Sequence, residues 1–178
     1  MNNVLAVASH PDDIEFGCGG TLAKFAAEGH DVYLLVLSRG ESGGDAKVRE
    51  QEQSRSAETL GARDVFWGHF TDTRLPFYDN VIQVIENAVA EAKPSYVLVH
   101  HGNDTHQDHR HISSCAVAAT RNVQNVLFYE GPTTYGFEPN IFVNIEEHME
   151  RKIECLSCHT SQVLKTNVEN RSIIEIAK

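Results

Sequence analysis

An apolar, β-branched run begins at Val4 and stops at a cluster of polar side chains, and this junction constrains the fold more than any other part of the chain. The run reads Val-Leu-Ala-Val-Ala, and the residues after it read Ser-His-Pro-Asp-Asp. A short, continuous apolar segment of this kind predicts a strand buried on both faces, as in a parallel sheet covered by helices. The carboxyl end of that strand then presents His10, Asp12 and Asp13.

Strand-like and helix-like segments alternate through the rest of the chain. After the first strand, the predicted strands are 31–38, 64–67, 96–100 and 125–129, and the predicted helices between them are 19–29, 46–60, 81–89 and 108–120. A further strand at 141–145, a helix at 146–158 and a helical last dozen residues complete the prediction. Such alternation is typical of right-handed βαβ units, so we predict a single α/β domain over residues 1–178 with a Rossmann-like, doubly wound, mostly parallel sheet.

The charge and the apolar runs of the chain exclude several classes of partner. The 178 residues carry 25 acidic and 15 basic side chains, a net charge of −10 at pH 7, and such a surface repels nucleic acid and anionic membranes. No apolar run approaches the roughly 20 residues of a bilayer span, and the chain begins with a strand rather than a signal peptide. We therefore expect a cytoplasmic protein that acts on a small molecule, with no integral membrane association; a monomer and a homo-oligomer both stay open.

Five of the ten histidines fall between residues 100 and 111, directly after the predicted fourth strand. If the strand order is 3-2-1-4-5, the first and fourth strand ends are neighbours at the switch point of the sheet, where ligands bind. The His10 turn then meets the segment that carries His106 and His109. Two imidazoles and one carboxylate form a common catalytic zinc set, so we predict that His10, Asp13 and His109 bind a metal.

Amide hydrolysis at such a site needs further groups beside the metal. A bound zinc ion lowers the pKa of its water to about 7, but a base must still take the proton. Asp12 is the predicted general base, and His106 is the predicted oxyanion stabiliser or acid, oriented by Asp108 or Asp104. The other histidines of the cluster are predicted to line the site or to face solvent rather than to bind metal: His100, His101 and His111.

Several segments together resemble the zinc-dependent N-deacetylases of the LmbE/PIG-L family. The segments that carry the resemblance are 8–13, 38–41, Arg49 with Glu50 and Glu52, 106–110, and later Lys152 with 159–162. The resemblance implies Zn²⁺, or another divalent metal such as Fe²⁺, on His10, Asp13 and His109. It also implies that Asp12 is the general base, that His106 is the electrostatic or acid catalyst, and that Asp108 supports His106.

The reaction implied by the resemblance is removal of an acyl group from an N-acetylglucosamine-like sugar or glycoconjugate. Arg49 and Asp72 match positions that tend to face the sugar. The acidic residue after the aspartate pair, Glu15, stands one place later than in the commonest form of the motif. Members of the family commonly extend further at the C-terminus, so the chain is expected either to lack an extension or to have a more open pocket.

Two alternative functions stay open beside the deacetylase. One is a metal-dependent amidase that acts on a thiol or other conjugate, and the other is a metal- or sugar-binding module without turnover. A dinucleotide-binding function is not supported, because the glycine-rich step after the first strand has Leu22 where the last glycine of the fingerprint belongs. We instead expect close packing between helix and strand at these glycines: Gly17, Gly19 and Gly20.

Overall fold

Five parallel strands form one sheet in the computed structural model, which describes residues 2–76, 78–166 and 170–178. The strands are β1 (Asn3–Ala8), β2 (Asp31–Ser38), β3 (Asp64–Phe70), β4 (Tyr96–His100) and β5 (Asn125–Tyr129). Their order is β3-β2-β1-β4-β5, and every neighbouring pair is parallel. The predicted doubly wound α/β fold is confirmed, and the winding reverses between β1 and β4.

Helices connect the strands and cover both faces of the sheet. They are α1 (Asp13–Gly17), α2 (Gly19–Ala27), α3 (Ala46–Leu60), α4 (Tyr78–Ala92), α5 (Gln107–Ala119), a 3-10 turn (Glu146–His148), α6 (Met149–Ser157) and α7 (Ile173–Ile176). Local chemistry explains the ends of α3. The Asp45 carboxylate accepts a 2.9 Å bond from the amide of Val48, and Gly61 closes the helix at a φ of 81°. Within the described ranges, every helix is too short or too polar to cross a bilayer.

The sheet separates two apolar cores, and β1 contributes to both. Val4, Ala6 and Ala8 point into the core beneath α2 and α3, whereas Leu5 and Val7 point into the core beneath α4 and α5. All five side chains are fully buried. Successive side chains of a strand point to opposite faces, so an unbroken apolar run is what a central strand between two helical layers requires.

Several elements differ from the prediction, among them the first helix, the third strand and the segment 141–145. The helix predicted over 19–29 is preceded by α1, which begins directly at Asp13, and β3 continues three residues beyond Trp67. The predicted strand at 141–145 is wrong, because this segment is irregular and 82% of Phe142 is exposed. An apolar run alone does not make a strand, since a strand needs a neighbour to share its backbone hydrogen bonds.

The end of the chain contains less helix than the predicted last dozen residues. Residues 167–169 lie outside the described part, and the helix observed there is α7. Ser172 and Glu175 form a capping box at its start, in which the Ser172 hydroxyl accepts from the Glu175 amide and the Glu175 carboxylate accepts from the Ser172 amide.

Replacing Gly17 with alanine is expected to destabilise the fold by about 1–3 kcal/mol, the usual cost of overpacking a core. A methyl group at Gly17 overlaps the Tyr129 ring, which is buried and anchored by a 2.9 Å bond from its hydroxyl to the carbonyl of Val7. Gly19→Ala is the matched control, because the nearest heavy atoms around that position lie 3.7 Å away. Urea unfolding of both variants measures the difference, and equal stabilities contradict the packing explanation.

Candidate active site

The loops at the carboxyl ends of the strands are joined to one another by hydrogen bonds. The Ser42 amide, after β2, donates to Asp72 after β3 over 2.9 Å. The Thr73 amide donates to Asp108, at the start of α5, over 2.9 Å. The Thr133 hydroxyl, after β5, donates to Asp104 over 2.6 Å. Four loops therefore build one polar centre at the switch point of the sheet.

The turn after β1 holds His10 and Asp13 against each other. The His10 amide donates to Asp13 Oδ2 over 2.9 Å, and the His10 Nδ1 atom lies 3.2 Å from the same oxygen. Asp12 lies between them with a φ of 92°, in the left-handed region that residues other than glycine rarely adopt. The Asp12 carboxylate lies 3.3 Å from Arg49 Nη2, whereas the Asp13 carboxylate contacts His10, so the two adjacent carboxylates have different partners.

His109 approaches the same Asp13 carboxylate from α5. Its Nε2 atom lies 3.4 Å from Asp13 Oδ1, and its Nδ1 atom lies 3.1 Å from Asp104 Oδ2. The centres of the His10 and His109 rings are 5.6 Å apart. The three predicted metal ligands therefore converge, and Asp104 stands behind His109 as carboxylates commonly stand behind metal-binding imidazoles.

His106 caps the start of α5 beside these residues. Its ring stacks on His109 with centres 4.6 Å apart and meets His10 edge-on at 4.8 Å. The Asp108 amide donates to His106 Nδ1 over 3.2 Å, so a neutral His106 carries its proton on Nε2. Burial, followed by the charges of His10 and His109, lowers the pKa of His106, which favours this neutral form at pH 7.

Asp108 contacts a different partner from the one predicted. Its carboxylate lies 3.3 Å from His10 Nε2 and accepts from the Thr73 amide, while its link to His106 runs through its own backbone amide. Asp104 instead accepts a 2.8 Å bond from the His106 amide. Of the two aspartates predicted to orient His106, Asp108 therefore contacts the ring nitrogen through its own amide, and Asp104 contacts the backbone nitrogen through its carboxylate.

His100 lines the site, which is one of the two placements predicted for it, and it lies against two of the candidate metal ligands. It ends β4, is 1% exposed, and stacks on His109 with ring centres 3.9 Å apart. Its Nε2 atom lies 3.3 Å from Asp13 Oδ2. The sequence could have indicated this position, because His100 is the last residue of the strand next to β1. The ends of these two strands meet at the switch point of the sheet, where ligands bind.

The donor set fits a divalent metal ion. Among the described residues, three groups have one ligand atom each within 4.8 Å of one another: His10 with His106 and His109, Asp13 with His100 and His109, and His10 with Asp72 and Asp108. Imidazole nitrogens and carboxylate oxygens are the ligands that zinc and iron share. Asp72 Oδ1 is buried and lies 2.9 Å from His10 Nε2, within this cluster of possible ligands.

The electrostatics of the cluster also favour a cation. Burial lowers the pKa of His109, but the charges and hydrogen bonds of Asp13 and Asp104 outweigh it and raise the value to about 9. Burial likewise opposes protonation of His10, and bonds to Asp108 and Asp13 raise its pKa well above the usual value. The negative charge of these carboxylates stabilises the protonated forms of two buried imidazoles. The same negative charge attracts a divalent ion, which can take the place of those protons.

The two adjacent aspartates differ in acidity. Burial and the charge of Asp13 raise the pKa of Asp12 to about 6, against the opposing charge of Arg49. Burial also acts to raise the pKa of Asp13, but the charges of His109 and His100 outweigh it and lower the value well below the usual range. A neighbouring pair with separated pKa values is typical of sites that assign one carboxylate to charge stabilisation and the other to proton transfer.

The two residues predicted to face a sugar lie at the floor of the site. Arg49 and Asp72 are each 5% exposed. The Asp72 carboxylate accepts from the Ser42 amide, and with burial opposing it, the hydrogen bond to His10 lowers its pKa to about 2. The Arg49 guanidinium donates to protein oxygens of the neighbouring loops. Contact of either residue with a sugar stays a prediction.

The segment 159–162 packs beneath the site. His159 is fully buried with its Nε2 atom 3.5 Å from Glu15 Oε2. The Glu52 carboxylate on α3 accepts from the Thr160 hydroxyl and from the amide and hydroxyl of Ser161, all within 2.8 Å. These buried acceptors attach the C-terminal part of the chain to the helices that support the His10 turn.

The fold and the cluster define a Rossmann-like α/β protein with a candidate metal centre at the switch point of its sheet. The chain belongs to the PIG-L family, described as GlcNAc-PI de-N-acetylase, which matches residues 5–120. The family resemblance seen in the sequence is thereby confirmed.

Similar proteins cover most of the chain. A protein of Escherichia coli (strain K12) named Uncharacterized deacetylase YaiS is 35% identical over 167 residues, which are 89% of this chain and 90% of the relative. Diacetylchitobiose deacetylase of Thermococcus kodakarensis is 31% identical over 193 residues, with 91% of this chain and 70% of the relative covered. The crystal structure of a conserved protein from Thermus thermophilus superposes with a TM-score of 0.85 at 31% identity, covering 92% of this chain and 80% of that one.

Proposed function

We propose that this protein is a zinc-dependent deacetylase that hydrolyses the N-acetyl amide of an N-acetylglucosamine-like sugar or glycoconjugate. The observation that carries the proposal is the position of Asp12, a carboxylate with a raised pKa beside a converging set of imidazoles and carboxylates. The deacetylase names of the relatives support the reaction and its sugar substrate. The four cysteines are free thiols, which fits the cytoplasm as the proposed compartment.

His10, Asp13 and His109 are the residues proposed to hold the metal. A zinc ion bound there supplies an acidified water and polarises the amide carbonyl, and Fe²⁺ is the alternative ion because the same ligands accept it. Asp104 orients His109 through the 3.1 Å contact with its second ring nitrogen. Asp108 does the same for His10 over 3.3 Å, so both imidazoles present a fixed nitrogen to the centre of the site.

Asp12 and His106 carry the proton transfers in this proposal. The Asp12 carboxylate takes the proton of the attacking water, which a carboxylate with a pKa near 6 can do and later reverse at neutral pH. The Nε2 proton of His106 stabilises the oxyanion of the tetrahedral intermediate or passes to the leaving amine. The edge-on packing of the His106 ring against His10, with ring centres 4.8 Å apart, supports this role.

The test measures metal and product together. Protein purified without added metal is subjected to elemental analysis and then incubated with a panel of N-acetyl sugars and N-acyl thiol conjugates, with released acetate and amine quantified. We expect zinc or iron in the protein and acetate release from an N-acetylglucosamine derivative. Hydrolysis confined to the thiol conjugates favours the amidase, and bound metal without any hydrolysis favours a binding module.

A further inference from the structure

Two buried, ionisable side chains lie beneath the site, and the proposed reaction uses neither of them. Glu15 lies on α1 two residues after Asp13, and His159 belongs to the segment 159–162. Both side chains are fully buried, and the His159 Nε2 atom lies 3.5 Å from Glu15 Oε2. We propose that Glu15 and His159 form a positioning pair, which fixes α1 and thereby the metal ligand and the base at its start. The inference rests on the proposed function, in which Asp13 binds the metal and Asp12 is the base.

The helix α1 is too short to hold its position without contacts to the rest of the protein. It spans five residues, and isolated helices shorter than roughly 12 residues are marginal in water. The residue before it, Asp12, has a φ of 92°, a conformation that persists only where surrounding contacts determine it. Ile14 supplies an apolar anchor, because it is fully buried in the core beneath α2 and α3. Glu15 supplies a polar anchor one residue later.

The Glu15 carboxylate is held by two different parts of the chain. Its Oε1 atom accepts bonds of 2.7 Å from the Gln53 side-chain amide and from the Ser56 hydroxyl, both on α3. Its Oε2 atom lies next to His159. Hydrogen bonds to a charged acceptor are stronger than those between neutral groups, so these contacts fix the carboxylate in two directions. The backbone of α1, which carries Asp13 two residues earlier, is fixed with it.

The contact between His159 and Glu15 has the character of an ion pair. Burial lowers the pKa of His159, but the charge of Glu15 outweighs it and raises the value above the usual one. Removing one partner of such a pair leaves the other charge buried without compensation, so the Glu15 carboxylate is expected to move when the imidazole is absent. A movement of Glu15 displaces α1, because the side chain belongs to that helix.

The C-terminal segment is attached to α3 by a second set of contacts, which makes a control possible. The Glu52 carboxylate accepts bonds of 2.7 Å from the hydroxyls of Thr160 and Ser161 and a bond of 2.8 Å from the Ser161 amide. These bonds join the segment to α3 and not to α1. Weakening them loosens the segment while Glu15 and His159 keep their side chains.

His159→Gln, with Glu52→Gln as the matched control, separates positioning from attachment. Below the melting temperatures of both variants, we expect His159→Gln to lower kcat by about 10- to 100-fold, with KM within about twofold of wild type. Its affinity for zinc, measured by competition with a chelator, should fall by a similar factor. Glu52→Gln should lower the melting temperature but keep kcat and zinc affinity. Wild-type kcat and zinc affinity in His159→Gln overturn the proposal, and so do equal losses in the two variants.

A double variant gives a second readout, because it leaves no charge in the pair. Combining Glu15→Gln with His159→Gln replaces the ion pair by two neutral amides, so kcat and zinc affinity should lie closer to wild type than in His159→Gln alone. Losses equal to the product of the two single losses overturn the pairing. If His159→Gln does not fold, Ser56→Ala is the milder variant, since it removes one 2.7 Å bond to Glu15. It should weaken zinc binding by about 3- to 10-fold, and an unchanged affinity overturns the proposal.

The zinc measurement needs no substrate, so it separates this inference from the proposed function. If wild-type protein binds zinc but hydrolyses nothing in the panel, the proposed function fails. The zinc affinities of the variants and of the control then decide alone whether Glu15 and His159 position the metal-binding turn.

Discussion

Replacing Asp12 with asparagine is expected to lower kcat/KM for the N-acetyl substrate by about 10²- to 10⁴-fold, the usual contribution of a general base. The amide has nearly the same shape as the carboxylate and can still accept from the Arg49 guanidinium, which lies 3.3 Å from Asp12 Oδ2. It cannot take a proton from water. Asp12 is absent from the three ligand groups found among the described residues, so bound metal should stay at the wild-type level.

The informative comparison is between turnover and metal content in the same sample. Asp79→Asn serves as the control, because Asp79 is an exposed carboxylate in the first turn of α4 and loses the same charge away from the site. Full activity of the Asp12 variant removes Asp12 from the mechanism. Loss of metal from the variant instead makes Asp12 part of the ligand set, which also contradicts its proposed role.

The sheet could be predicted because its signals are local. The bounds of β2, β4, β5 and α3 agree with those predicted from the sequence, and in each case an apolar run or a helix-favouring segment ends at a clear stop signal. The alternation of strands and helices favours a doubly wound sheet, and the order assumed for it is the one observed, which brings the segment after β1 beside the segment after β4. The convergence of His10, Asp13 and His109 is a consequence of topology.

The contacts inside the site were harder to predict because they join distant loops. Thr73 donates to Asp108, 35 positions away, and Thr133 donates to Asp104, 29 positions away. No local pattern encodes these bonds, since loop conformation depends on which partner satisfies each buried backbone group. The sequence predicts that Asp108 supports His106, but in the folded chain the Asp108 carboxylate contacts His10. Local sequence does not encode this contact either, because the two residues are distant in the chain.

Replacing His109 with alanine is expected to remove the metal and with it the deacetylase activity. Loss of an outer-shell partner typically costs 10- to 100-fold in metal affinity, and loss of a ligand should exceed that range, so a drop of more than about 100-fold is expected. His109 is 4% exposed and lies between Asp13 and Asp104 at 3.4 and 3.1 Å. Without the imidazole these two buried carboxylates lose the partner between them, so the variant should also unfold at a lower temperature than wild type.

Competition with a fluorescent chelator measures the affinity, and acetate release measures the turnover. His111→Ala is the matched control, because His111 lies on the same helix two residues later and stacks on Tyr78 with ring centres 4.7 Å apart. It should keep both metal and activity. The two variants then separate metal binding from proton transfer. The His109 variant is expected to lose both metal and activity, whereas the Asp12 variant is expected to lose activity alone. If the His109 variant binds metal as tightly as wild type, His109 is not the third ligand and another residue of the cluster must be. His100 is then the candidate, because it stacks on His109 and its Nε2 atom lies 3.3 Å from Asp13.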